Sequence, residues 1–222
     1  MDKSEEFLQS LENDALTFAI ISLEVVGSTT LSISLDPGTY ANLISVVLWE
    51  LSAIIPKYQG HVLKYTGDGL IAYFPEPSFI SKNDLAINCA LELRQLIHNG
   101  LYPLFKKLNC PPIEVRIGID TGEAFVKLIG DPSTKQHKDI IGSVVSLAAK
   151  IQAITKPGEI YMGETTCKNL HSIWRENIEQ VKLKDDWNYK GKDGNKYMVY
   201  KLKTDGHNNS NQIKLAPLAG QS

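Results

Sequence analysis

Apolar and polar positions along this chain follow two alternating periods. Residues 16–23 form an apolar run of strand length, ended by Glu24. Asp36-Pro37 then opens a helix, with Asp36 as N-cap and Pro37 at the first helical position. That helix runs to about Ile55, before Pro56. Residues 61–66 and 70–74 read as short strands around Gly67-Asp68-Gly69, and Asp-Gly between β-like runs predicts a hairpin. Helical spacing returns over 84–97, at Leu85, Cys89, Leu93 and Leu96. Segments 113–121 and 124–129 predict a second hairpin, turning at Gly122. An Ala-rich helix follows at 143–154, then a short strand at 159–162 and a short helix at 164–170. Segments 181–184 and 196–202 read as a closing hairpin. Residues 1–15 form an amphipathic helix with Phe7, Leu8 and Leu11 on one side, and 204–222 a loose polar tail. No linker or repeat divides the span between them, so 16–203 is one domain. Strands and helices alternate, yet hairpins join several strands. The order predicts an α/β (α+β) sandwich with a mixed, largely antiparallel sheet, not a Rossmann fold.

Composition narrows the partners. Of 222 residues, 43% are apolar, enough for a sizeable core. A net charge of −2 argues against a protein built to coat nucleic acid or an anionic membrane, and leaves room for a local anion site. Cys89, Cys110 and Cys167 are odd in number and far apart, which excludes a disulfide framework and fits a reducing compartment. The N-terminus is acidic and unlike a signal peptide. No apolar run approaches the roughly 20 residues a membrane helix needs, because Glu24 and Glu50 interrupt the longest ones. A soluble, cytoplasmic protein is expected. His61, His98 and His137 lack ligand spacing and read as surface or packing residues, while Trp49, Trp174 and Trp187 read as core or interface anchors. The chain has no Gly-x-x-x-x-Gly-Lys-Ser/Thr loop, and Ser28 and Thr29 have no His–Asp arrangement nearby.

Candidate chemistry lies in four segments: Ser22–Thr29 (SLEVVGST), Lys64–Gly69 (KYTGDG), Arg116–Glu123 (RIGIDTGE) and Asp139–Lys150 (DIIGSVVSLAAK). Glu24 ends a strand before a glycine-containing turn, where a carboxylate can hold a hard cation while turn N–H groups face phosphates. Read alone, it is equally an exposed strand-end residue. Asp68 sits at a hairpin tip and alone reads as a turn residue. If the two strands are neighbours, the carboxylates converge, and oxygen ligands with a triphosphate suit Mg²⁺ or Mn²⁺.

These segments, in this order and with Lys190-Gly191-Lys192 before the last strand, resemble the catalytic domain of class III nucleotidyl cyclases, the adenylate/guanylate cyclase family. The resemblance spans about residues 16–203. It implies a ferredoxin-like core and a metal site of Glu24, Val25 and Asp68, with Glu24 replacing a family aspartate. The longer Glu side chain points to Mn²⁺ over Mg²⁺. The resemblance also makes Lys64 and Asp139 the base-reading pair. Lys64 then donates to a ring nitrogen and Asp139 accepts from an exocyclic amine, which suits adenine or cytosine and mismatches guanine and uracil. Gly27, Ser28, Thr29 and Lys190 fall at phosphate-binding positions. Ser146 and Lys150 replace a family Asn and Arg that steady the ribose and the α-phosphoryl charge; Lys keeps the charge but loses the bidentate fork. The implied reaction is attack of the ribose 3′-hydroxyl on the α-phosphorus, in a homodimer whose two sites lie at the interface.

The stand-alone form, with altered catalytic positions, is similar to the pyrimidine cyclases of bacterial Pycsar antiphage systems, whose cyclic nucleotide switches on a downstream effector. Two other readings stay open: a conventional adenylate cyclase, and a non-catalytic cyclase-like nucleotide-binding module.

Overall fold

A computed structural model of the chain describes residues 3–11, 15–75 and 79–204. An eight-stranded sheet runs through it in the order β2-β3-β1-β4-β6-β8-β7, with β5 paired to β4. The strands are β1 (Ala15–Val26), β2 (His61–Tyr65), β3 (Gly69–Phe74), β4 (Glu114–Ile129), β5 (His137–Ile141), β6 (Ile160–Gly163), β7 (Ile178–Gln180) and β8 (Val199–Leu202). Only β4–β6 pairs parallel among these; every other pairing is antiparallel, as expected.

Alternation along β1 builds two cores. Ala19, Ile21, Leu23 and Val25 join the larger one. It is closed by α3 (Pro37–Ile54) through Val47 and Leu51 and by α4 (Phe79–Gln95) through Ile87 and Leu93. Phe18 and Ile20 point the other way, into a smaller core with Val144 and Ala148 of α6 (Ser143–Ile154) and Leu8 of α1 (Lys3–Ser10). This second face carries the candidate chemistry. At Gly118 of β4 the backbone of α6 comes so close that an added Cβ would lie 2.2 Å from the Gln152 N and 2.4 Å from the Ala148 O. Glycine there lets helix and strand touch backbone to backbone.

Several expectations hold in detail. Asp36 caps α3 by accepting from the Thr39 N–H at 3.0 Å, with Pro37 in the first turn. The Asp-Gly hairpin joins β2 to β3, and α6 begins and ends at the expected residues. Others are corrected. No hairpin turns at Gly122, because β4 runs straight through it for 16 residues. Gly122 is small because Val144 packs over it, 3.3 Å from where a Cβ would stand. The turn comes at Gly130, with φ of 106°, and leads into β5. The closing pair is β7 with β8, so its first strand lies earlier than expected. The helix α3 does stop at Ile54, before Pro56 as expected, and a 3₁₀ turn, Ile55–Tyr58, follows it. Trp174 and Trp187 are buried as expected, whereas Trp49 is 66% exposed and is no core anchor. The stretch Pro37–Tyr58 is, by length and composition, long and apolar enough to cross a membrane, against expectation. One side of α3 nonetheless packs into the larger core through Val47, Leu51 and Ile54. The expected tail lies outside the described residues from 205 onward.

Candidate active site

Register sets the first half of the site. Glu24 pairs with Gly69 across β1 and β3, so Asp68 stands beside the end of β1. The Val25 N–H donates to the Asp68 backbone carbonyl at 3.0 Å and ties the hairpin tip to the strand end. Gly27 then turns the chain with φ of 94°, and a Cβ there would meet the Pro112 carbonyl at 2.8 Å. This turn buries Ser28, whose hydroxyl donates to the Asp68 carboxylate, while Thr29 stays exposed. The Val25 side chain is fully buried in the larger core, leaving only its backbone for a site.

Glu24 is held on two sides. The Arg116 Nη2 donates to both its carboxylate oxygens, at 2.7 and 2.8 Å, and the Nε reaches Oε2 at 3.3 Å. Gln152 of α6 adds a bond to Oε2 at 2.7 Å. Arg116 lies opposite Glu24 in the β1–β4 register, so the strand pairing itself brings cation and anion together. Charge-assisted bonds of this kind are the stronger ones. Sequence reasoning assigned neither Arg116 nor Gln152 a role. The available signal was alternation: Arg116 shares a strand face with Gly118 while Val115 and Ile117 fill the core, and an arginine on a half-buried strand face needs an anion.

The second half joins residues 75 apart in sequence. Lys64 of β2 and Asp139 of β5 meet at 2.5 Å. The other Asp139 oxygen accepts from the Ile140 N–H at 2.9 Å, and the carboxylate is largely buried. A donor and an acceptor thus stand side by side, each satisfying the other.

Ser146 and Lys150 occupy the exposed face of α6, one turn apart. Gln152 is on the buried face, roughly 200° around the helix from Lys150. One chain therefore aims Lys150 away from its own Glu24. Lys190 is exposed on a hairpin whose backbone bridges Lys190 to Lys196.

Among the described residues no three His, Cys, Asp or Glu side chains cluster as a metal site. Glu24 and Asp68, brought to the same strand end by the β1–β3 register, carry hard oxygen ligands of the kind that suit a divalent cation completing its shell with phosphate oxygens. Arg116 and Ser28 hold those carboxylates in the free chain.

One more carboxylate shares this sheet face. Asp120 is 2% exposed and accepts from the Tyr197 hydroxyl at 2.6 Å. Burial pushes its pKa up to about 7, against the opposing pull of the Tyr197 bond. Burial, then the neighbouring Asp120, drives the Tyr197 hydroxyl upward as well.

Residues 11–204 match the family described as "Adenylate and Guanylate cyclase catalytic domain". The chain belongs to this family. It is 25% identical to a cytidylate cyclase of Escherichia coli over 185 residues, covering 79% of this chain and 40% of that protein. A cytidylate cyclase of Staphylococcus aureus is 25% identical over 67% of this chain and 36% of its own length. An adenylate cyclase of Anabaena cylindrica is 25% identical over 68% and 30%. The chain thus spans less than half the length of these relatives. Among solved structures, the adenylyl cyclase CyaB from P. aeruginosa superposes with a TM-score of 0.73 at 24% identity, over 86% of this chain and 96% of that one. The guanylyl cyclase Cya2 gives 0.73 at 21% identity, over 89% and 98%. The family fold is therefore that of a class III cyclase catalytic domain.

Proposed function

We propose that this chain is a nucleotidyl cyclase that converts CTP, and secondarily ATP, into the 3′,5′-cyclic nucleotide and pyrophosphate. The observation that carries the base preference is the Lys64–Asp139 pair. Its ammonium donor beside a carboxylate acceptor matches the ring nitrogen and exocyclic amine shared by cytosine and adenine. Guanine and uracil present a ring N–H and a carbonyl, which would face the wrong partners. The two similar cytidylate cyclases support cytosine over adenine.

In the reaction the ribose 3′-oxygen attacks the α-phosphorus, the bond from that phosphorus to the β-phosphate bridging oxygen breaks, and the hydroxyl proton passes to solvent. Glu24 and Asp68 would hold divalent cations, Mn²⁺ above Mg²⁺, which supply Lewis-acid activation of the hydroxyl and charge neutralisation at the phosphates when bound. Lys150 offsets charge developing on the α-phosphoryl group, and Ser146 steadies the ribose. Lys190 and the Gly27–Thr29 turn face the triphosphate. The outward aim of Lys150 supports a homodimer in which Glu24 and Asp68 of one protomer meet Lys64, Asp139, Ser146 and Lys150 of its partner. Free Cys89, Cys110 and Cys167 suit a cytoplasmic setting. The cyclic product would act as a signal for a downstream effector, as in antiphage defence.

The test incubates purified protein with each of the four ribonucleoside triphosphates and Mn²⁺ or Mg²⁺, and identifies products by mass spectrometry. Cyclic CMP as the main product, with cyclic AMP second, is expected. Cyclic GMP or cyclic UMP as the main product would refute the base assignment. Metal-dependent binding without any product would make the chain a binding module.

A further inference from the structure

The helix α1 crosses the sheet face of the smaller core and is fastened at two places. On one side the Phe7 ring stacks on His61, with centroids 4.8 Å apart and planes at 19°. His61 in turn stacks on Tyr73 at 5.1 Å and 17°. Leu8, 5% exposed, anchors the helix beneath this column. On the other side the Lys138 Nζ donates to the carbonyls of Gln9 and Leu11, both at 2.9 Å. These carbonyls end α1, where a lysine both satisfies bare acceptors and complements the helix dipole.

Both fastenings are next to the base-reading pair. His61 lies on β2, three residues before Lys64. Lys138 lies on β5, immediately before Asp139. β2 pairs with β3, and β5 with β4, so no strand ladder among the described residues joins β2 to β5. Lys64 and Asp139 meet across that gap, and α1 spans the same gap.

We propose that α1 is a positioning element for base selection: Phe7 and the Lys138-bound end of the helix set the separation of β2 and β5, and hence of Lys64 and Asp139. This rests on the reading of Lys64–Asp139 as the base-binding pair. A donor and an acceptor discriminate a base edge only at fixed spacing, so loosening the clamp costs selectivity before it costs phosphate binding.

The experiment uses 3′-deoxynucleoside triphosphates with Mn²⁺, which lack the attacking hydroxyl, so that binding is read without turnover. Full-length wild type, Phe7→Ala and Lys138→Met are compared by calorimetry; Lys138→Met keeps the aliphatic stem and removes the donor. In each variant the affinity ratio of 3′-deoxy-CTP to 3′-deoxy-GTP is expected to fall about five- to tenfold. Affinity for inorganic tripolyphosphate should stay within about twofold of wild type, a split that general loss of structure would not produce. Hydrogen exchange should rise in β2 and β5. Faster exchange there with an unchanged ratio would overturn the proposal, as would an equal loss of tripolyphosphate binding. Should Phe7→Ala fail to fold, Lys138→Met alone decides. A wild type that binds without base preference would sink both readings, whereas one that discriminates but forms no cyclic product would sink the cyclase reading alone.

Discussion

Two carboxylates on one sheet face meet opposite fates. Glu24 is anchored by Arg116 and Gln152 at the open end of β1. Asp120 lies four residues from Arg116 along β4, deeply buried, with a tyrosine hydroxyl as its partner and Glu164 as the charge that raises its pKa further. The first is paired with an arginine; the second has its pKa raised to about 7 by burial, so a proton is held there to far higher pH than on an ordinary carboxylate. Burial decides the difference, because an ion pair at the rim keeps solvent access while a buried carboxylate without a cation takes up a proton instead.

The comparison breaks most sharply at Asp68, whose partner is the Ser28 hydroxyl. Asp68→Ala should lower turnover by at least ~10³-fold, read as cyclic nucleotide formed per minute with Mn²⁺. Its stability should change by only about 1 kcal/mol, the worth of one lost hydrogen bond, in a urea melt. Undiminished turnover would remove Asp68 from the metal site.

Asp120→Asn should do the reverse. The folded-state pKa, about 7, lies above the ordinary carboxylate value of 3.8, so the native state binds the proton more tightly than the unfolded chain. That contribution is complete below about pH 4 and is lost as pH rises to 7, at about 1.4 kcal/mol per pH unit. Asn keeps an acceptor for Tyr197 and cannot titrate. The stability difference between variant and wild type should therefore shift in the variant's favour by up to about 4 kcal/mol between pH 4 and 7. Urea midpoints at four pH values read this; parallel curves would mean that Asp120 is ionised throughout.

The smallest effect sharpens the Glu24 side. Gln152→Ala removes one of two anchors and should change the half-saturating Mn²⁺ concentration by about tenfold, with the order of base preference intact. A changed base order would mean that the two halves of the site are not independent.

Much of this was legible in the sequence. The Asp36 cap, the Asp-Gly hairpin and the bounds of α6 follow from local rules that tertiary contacts did not override. The candidate residues came from the resemblance to the cyclase family, and the structure brings two of them, Lys64 and Asp139, into one ion pair. Gly122 misled because a glycine in a strand marks either a turn or a close neighbour, and only packing tells which. Arg116 and Gln152 stayed hidden for a related reason. Their role depends on β1 pairing β4 in one register and on α6 lying directly over Gly118. The clamp on β2 and β5 is likewise invisible in the chain order, since His61 alone is an ordinary packing residue.

The contact at Gly118 also fixes how α6 sits on the sheet. At Gly118 the α6 backbone rests directly on the strand, while Val144 and Ala148 pack their side chains on Phe18 and Ile20. The contact ties α6, and with it Lys150 and Gln152, to β4 at one short separation. A substitution that thickens position 118 would act as a wedge, lifting every α6 residue away from Glu24 together.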